Sequence, residues 1–432
     1  MVVMGIECLL HHRHHQHRYS VTAMTSISPS TATLPADRGR VAPADGDPQR
    51  LDAFLPSPCV QNHAAHITAL RNGDLACVWF GGTQEGIPDI SIYFSRLAIG
   101  SDRWTDPVKL SDDPTRSEQN PVLFPAPDGT LWLFYTAQIS GNQDTAVVRC
   151  RTSPDDGRTW RPVRTLFEGG DQDGIFIRQP LVVLPNGDWL LPVFHCYGTP
   201  GEKWVGDDDT SAVRISTDQG RTWTEHPVPD STGCVHMSIV PLRDGTLAAF
   251  FRSRWADRVY RSTSEDQGRT WSAPVPTELP NNNSSIQVTA LRDGRLAIVF
   301  NESSAEGITE RRLSLYDDIE DDNAPGAGGT VPAAPVPAAG QSQGRKTFWG
   351  APRAPMTLAL SSDGGITWPV RRNLEVGDGY CMTNNSKEGL NREFSYPSIT
   401  QTEDGNLHVA FTYFRQAIKY SCVSPGWVSG GQ

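Results

Sequence analysis

SPDDGRTW, residues 153–160, returns three more times along the chain: STDQGRTW at 216–223, SEDQGRTW at 264–271 and SSDGGITW at 361–368. The shared pattern is Ser-x-Asp-x-Gly-x-Thr-Trp, and each fixed residue has a physical task. Ser and Asp side chains tie the backbone of a tight turn, and Gly takes the positive φ that such a turn demands. Trp folds back as an apolar plug, which gives a short hairpin something to bury. One copy carries little weight, but four at similar spacing mark an internal repeat. A degenerate copy spans residues 95–104.

A second repeat is independent of the first. Asn-Gly or Asp-Gly sits between apolar strands six times, at Asn72-Gly73, Asp128-Gly129, Asn186-Gly187, Asp244-Gly245, Asp293-Gly294 and Asp404-Gly405. These dipeptides favour two-residue type I′ hairpin turns, the expectation for all six. The interval between turn glycines is nearly constant until the last, which holds a Pro/Ala/Gly-rich insert. In each unit one apolar strand precedes the turn and a second follows. A third comes next (residues 212–216, for example), then the eight-residue box, degenerate in the first unit and missing from the sixth, and a fourth. Four strands in each of six units predict an all-β chain, a six-bladed β-propeller over residues 51–425. Short apolar runs broken by Gly, Asn and Asp agree. No run approaches the roughly 18 apolar residues of a membrane span.

Two stretches fall outside the repeat. Residues 1–50 hold five of the chain's 11 histidines between His11 and His17, then turn Ser/Thr/Ala/Pro-rich. They read as a disordered extension, with no apolar core of roughly 7–15 residues to make a secretory signal. The default expected location is therefore cytoplasmic, or outside the cell if the start of the chain is misplaced. Residues 317–346, beginning DDIEDDNAPGAGG, read as a disordered insert within the propeller. The net charge of −11, from 38 basic and 49 acidic residues, argues against a nucleic-acid or anionic-membrane partner. The eight cysteines are scattered without a Cys-x-x-Cys, the pattern of buried free thiols. Cys196 beside His195, and Cys234 near His236, leave a zinc site open, but no motif requires a metal or cofactor.

In a propeller, the starts of the innermost strands ring one mouth of the central channel. Counting back from each turn glycine gives Ala64, Asn120, Arg178, His236, Ser285 and Tyr396, with His63 one further back in blade one. Positions equivalent by repeat should resemble each other if their role is structural. These differ and are mostly polar, the signature of a binding pocket. His66 lies on the first of the same strands.

The boxes resemble the Asp-boxes of sialidases, and the resemblance covers residues 58–420. In that family three arginines clamp the substrate carboxylate, a Tyr activated by a Glu is the nucleophile, and an Asp is the acid/base. The resemblance implies Tyr396, in FSYPSI, as nucleophile. It implies Arg252, in FFRSR, and Arg353, in APRAPM, as clamp arginines, and Asp89, in GGTQEGIPDI, as acid/base. Two positions depart. The first clamp arginine is replaced by His63, in NHAAHI, and the activating glutamate by His236, in CVHMS. The chain therefore looks like the broad bacterial sialidase-like group.

Three functions follow. The first is a sialidase-like glycoside hydrolase removing a terminal acidic sugar, with His236 activating Tyr396, Asp89 as acid, and Arg252 and Arg353 on the carboxylate. Tyr needs a base because its ordinary pKa is near 10. The second is β-elimination on a uronate, for which His63, His66, His236, Arg178, Arg252 and Tyr396 supply the parts. The third is a non-catalytic glycan-binding propeller, since fold alone does not set function. Asn120 and Arg178 join the substrate-binding candidates, and Glu85 reads as a loop cap. An acidic carbohydrate is the expected partner in all three.

Overall fold

Each box folds into the bonded turn that its residues dictate, as seen in a computed structural model describing residues 34–319, 331–332 and 344–431. In the first box, Ser153 Oγ accepts from the Gly157 N–H at 2.8 Å and donates to Asp155 Oδ1 at 2.8 Å. Asp155 accepts from the Thr159 N–H and hydroxyl at 2.8 and 2.7 Å, and Trp160 Nε1 donates to the Gly157 carbonyl at 3.1 Å. The other three boxes repeat this bonding. The Trp ring then meets the preceding blade: Phe94–Trp160 at 6.1 Å, Phe167–Trp223 at 5.6 Å and Phe250–Trp368 at 5.8 Å between ring centres. The box thus joins blades as well as closing a hairpin.

The six Asn-Gly and Asp-Gly turns differ from the expected type I′ form, which needs positive φ at both residues. Here only the glycine has it, and its N–H bonds the carbonyl three residues back, as from Gly73 to Leu70. The Asn or Asp oxygen instead accepts from the N–H two residues on, at 2.9–3.0 Å. That local bond holds the Asn or Asp at negative φ and makes a three-residue loop ending in a left-handed glycine.

Six antiparallel sheets are arranged as blades. Their innermost strands are Gln61–Ala69, Ser117–Pro125, Asp173–Phe176 with Val182–Val183, Cys234–Pro241, Gln287–Ala290 and Phe394–Gln401. Apolar clusters fill the seams, such as Phe124, Trp132, Leu181 and Trp189 between blades two and three. No helix among the described residues is long and apolar enough to cross a membrane.

Blade six corrects the expected domain limits. Phe394–Gln401, Leu407–Tyr413 and Ala417–Val423 are completed by Asp47–Phe54 and Ala42–Ala44 from the other end of the chain. Leu51 pairs with Cys422 and Ala53 with Tyr420. Residues 42–50, expected to be structureless, therefore form part of the ring closure. Strand DPQRLDAF buries only Ala53, so it lacks the apolar alternation that reveals a strand. Residues 1–33 of the expected extension lie outside the described residues.

The insert is also shorter than expected at both ends. Asp318 accepts from Arg312 and Thr383 at 2.9 Å, while Arg345 donates to Asp257 at 3.0 Å and Lys346 to Asp207 at 3.1 Å. Arg345 and Lys346 have their partners on other blades, which local composition does not show. Residues 320–330 and 333–343 lie outside the described residues.

Candidate active site

Four innermost strands slip register at the same level, between His63 and His66, Gln119 and Val122, Val235 and Ser238, and Ser395 and Ser398. Each slip holds a residue of positive φ: Ala64 (59°), Asn120 (49°), His236 (54°) and Tyr396 (49°). These are four of the six repeat-equivalent positions. Bulges re-aim a side chain that regular pleating would send into a neighbouring blade. A non-glycine residue in this region costs on the order of 1–3 kcal/mol, which the surrounding packing must offset.

Tyr396 is the centre of the resulting cluster and is only 4% exposed. Its phenol oxygen accepts from Arg252 Nη1 at 2.6 Å. The guanidinium carbons of Arg178, Arg252 and Arg353 lie 5.2, 5.4 and 5.7 Å from its ring centre. The His63 ring stands 4.2 Å away and the His236 ring 5.6 Å away, edge-on. Arg252 also donates through Nε to Asn283 Oδ1 at 2.8 Å, and Nη1 lies 3.5 Å from His236 Nε2. His236 Nδ1 meets Ser285 Oγ at 3.0 Å.

A carboxylate layer supports one side of the cluster. Glu393 bridges Arg353 Nη1 at 2.9 Å and Arg415 Nε at 2.5 Å, and Arg415 Nη1 reaches Glu85 at 2.6 Å. Burial alone would raise the Glu393 pKa, but Arg415 and Arg353 overcome it and hold the group at about 2. Four buried guanidinium groups, Arg178, Arg252, Arg353 and Arg415, thus face two carboxylates. Neither Arg178 nor Arg252 has a carboxylate partner among the described residues. Burial lowers Arg252 to about 9 and Arg178 to about 10, so both remain cationic at neutral pH. Burial, then Arg415 and the other arginines, pushes His63 well below its ordinary 6.5. Burial and Arg252 do the same to His236, so both rings are neutral. Two buried atoms in this cluster have no partner, Arg252 Nη2 and His63 Nε2.

The structure brings together Tyr396, His63, His236, Arg252, Arg353 and Arg178, but not all of these are free to meet a ligand. Arg178 donates to Ser285 Oγ and to the carbonyls of Ala64, Ala65, Tyr396 and Pro397 at 2.9–3.3 Å. Bulged strands leave carbonyls without ladder partners, and this guanidinium takes them up, fastening blades rather than waiting for a substrate. Asn120 likewise donates to the Ile177 carbonyl at 3.1 Å. His66 faces the opposite mouth, where it lines a cavity of about 330 Å³ with Ser238 and Gln287. Its Nδ1 accepts from the Leu123 N–H at 3.1 Å, and burial with Arg178 holds its pKa at about 3. Asp89 is exposed and bonded to the Thr83 hydroxyl, outside the Tyr396 cluster. Its loop also carries Glu85, which is buried at the mouth.

Counting along innermost strands could not find Glu393, Arg415, Asn283 or Thr412, whose Oγ1 meets His63 Nδ1 at 2.8 Å, because none occupies a ring position. One signal was present for Arg415, a lone charge inside the apolar hairpin run FTYFRQAI. The zinc alternative gains no support. Cys196 Sγ donates to Gln143, His195 sits between Asp173 and Glu225, and no metal-binding group of three or more forms among the described residues.

The mouth is crossed by the long excursion from blade five. Tyr316 Oη meets Gln143 and Gln138 of blade two at 2.9 and 3.3 Å, and Trp349 stacks near Arg252 and Arg254 at 5.7 and 5.2 Å. Arg254 is paired with Asp209 at 2.8 Å and belongs to this roof.

Comparison with known proteins agrees with this architecture. The BNR repeat-like domain family matches residues 73–409. The Hadza microbial sialidase Hz136 superposes with a TM-score of 0.61 at 14% identity over 85% of this chain, which spans 66% of that protein's length. A Dyadobacter fermentans DSM 18053 protein of unknown function gives 0.60 at 15% identity over 86% of this chain and 97% of its own. The leech intramolecular trans-sialidase, solved with 2,7-anhydro-Neu5Ac, gives 0.61 at 12% identity over 87% of this chain and 69% of its own. No curated protein sequence matches the chain. At such identities the likeness is one of fold.

Proposed function

The chain belongs to the BNR repeat-like family, and from that premise we propose that it is a sialidase-like glycoside hydrolase, removing a terminal acidic sugar from a glycan. The sugar is a sialic acid or a related carboxylated sugar. One observation carries the reading: Arg252 is buried, cationic, without a carboxylate partner and bonded to the Tyr396 phenol. A buried unpaired charge is costly, and an arriving carboxylate removes that cost with charge-assisted hydrogen bonds. In the proposed reaction Tyr396 Oη attacks the anomeric carbon and neutral His236 takes the phenol proton. The leaving oxygen takes a proton from Asp89, whose loop borders the mouth. Water then releases the sugar with Asp89 as base, and the proton held by His236 returns to the Tyr396 oxygen.

A second reading is favoured by one specific feature. Asp89 lies outside the cluster, whereas two neutral histidines touch Tyr396. Those parts suit β-elimination on a uronate, with Arg252 neutralising the carboxylate and His or Tyr moving protons.

A product assay separates the two. A 4-methylumbelliferyl sialoside and uronate-containing polysaccharides are offered to the wild type and to Tyr396→Phe. Hydrolysis releases fluorescence, and the variant loses at least about 10³-fold in rate. Appearance of an unsaturated, ultraviolet-absorbing sugar instead replaces hydrolysis with elimination.

A further inference from the structure

We infer that His63 is a hydrogen-bond donor that reads the substrate through Nε2–H, held in that tautomer by Thr412. The inference rests on the acidic-sugar reading of the site. Thr412 is fully buried, and its Oγ1 has two neighbours among the described residues. One is the Ala64 N–H at 3.3 Å, which only donates, and the other is His63 Nδ1 at 2.8 Å. A hydroxyl has one hydrogen, and the only acceptor it bonds among the described residues is Nδ1. Nδ1 is therefore bare, and in a neutral imidazole the hydrogen sits on Nε2. That nitrogen is buried and has no partner, on a ring packed between Tyr396 and Phe80. A buried donor left unsatisfied costs on the order of 1–3 kcal/mol, which an acceptor supplied by a ligand would remove. Arg252 Nη2 is unsatisfied in the same cluster, which makes two donors for one acidic group.

His236 has the complementary assignment. Its Nε2 faces Arg252 Nη1, which only donates, so that nitrogen is the accepting one. The two histidines against Tyr396 thus carry opposite assignments, His236 Nε2 accepting from Arg252 and His63 Nε2 offering a hydrogen bond. His63 acts on substrate, and Thr412 is a positioning residue.

The test is a long-range ¹H–¹⁵N correlation on the full chain labelled in histidine, assigned with His63→Gln and His236→Gln. N-acetylneuraminate and glucuronate are the probes, and N-acetylglucosamine is the uncharged control. The expected result is a bare Nδ1 and protonated Nε2 on His63, with Nε2 moving on adding an acidic sugar but not the control. Thr412→Val should mix the tautomers and raise KM about tenfold with kcat little changed, an effect of one lost hydrogen bond. Thr412→Ser should restore both. A protonated Nδ1 on wild-type His63 overturns the inference. So does acidic-sugar binding that shifts His236 and leaves His63 unmoved, although the acidic-sugar reading then survives. If no acidic sugar shifts either ring, that reading fails, and the recognition role of His63 fails with it.

Discussion

Arg353 and Arg252 both lie against Tyr396, and the protein treats them in opposite ways. Arg353 is bonded to Glu393, which also holds Arg415, which in turn holds Glu85. That half of the cluster closes on itself, with each charge answered by another. Among the described residues, Arg252 has an amide, a phenol and an imidazole around it but no carboxylate, and one of its nitrogens has no partner. The contrast separates scaffold from site within a few ångströms. A buried charge already paired is a fixed part of the fold, whereas the one left unpaired is where the proposed function puts the ligand's charge.

Breaking the closed half should give the largest effect on stability. Glu393→Ala strands Arg353 and Arg415 without their shared carboxylate, and urea unfolding should show a loss of about 3–5 kcal/mol. A loss below 1 kcal/mol would erase the distinction between the two halves. Breaking the open half should do the reverse. Arg252→Met should leave unfolding stability unchanged or higher, because a buried unpaired charge is gone. It should also lower turnover of the acidic substrate about 10²–10³-fold, the usual effect of removing one well-placed donor. A destabilised Arg252→Met would place this arginine with the scaffold.

Acid should probe the same contrast. His63, His66 and His236 are neutral in the fold with pKa values below the ordinary 6.5, His66 at about 3. Below pH 6.5 the unfolded chain binds protons that the folded chain refuses. The contribution of these three rings is therefore flat above 6.5 and falls as the pH drops toward the folded pKa, by up to about 1.4 kcal/mol per unit for each histidine. Glu393 stays ionised in the fold down to about 2, so its contribution is lost only below its ordinary 4.5. A urea midpoint unchanged between pH 7 and 5 would contradict the neutral rings. The smallest expected effect on folding belongs to Asp89→Asn, within about 0.5 kcal/mol, because the side chain is exposed. A large loss of turnover in that variant, with stability unchanged, would bring the Asp89 loop into the reaction.

The fold was legible because its signal is repeated. Ser153, Asp155, Gly157, Thr159 and Trp160 make bonds with one another, so one octapeptide determines one turn and four octapeptides fix the blade period. The ring of the site was legible for the same reason, since the bulged positions share a distance from the turn glycines. The rest depends on contacts with no local signature. Asp47–Phe54 is an outer strand with little to bury, so its pattern resembles a tail. Glu393 and Arg415 are single residues whose meaning comes from each other across the mouth. Arg178 reads as a substrate-binding residue because its type and position fit, and only its bonds to one hydroxyl and four carbonyls show that it fastens the blades.

The closing blade also sets a schedule for the chain as it is made. Asp52 meets Ser421 across 369 residues, so Asp47–Phe54 emerges from the ribosome long before its partner strand Ala417–Val423. At the usual pace of roughly 5–20 residues per second, the early strand waits some tens of seconds with an open edge. Its sequence suits the wait: the polar, charged DPQRLD offers a poor template for a stray strand, and Pro48 interrupts the row of donors. The weak pattern that hides this strand from a reader of the sequence also hides it from other chains.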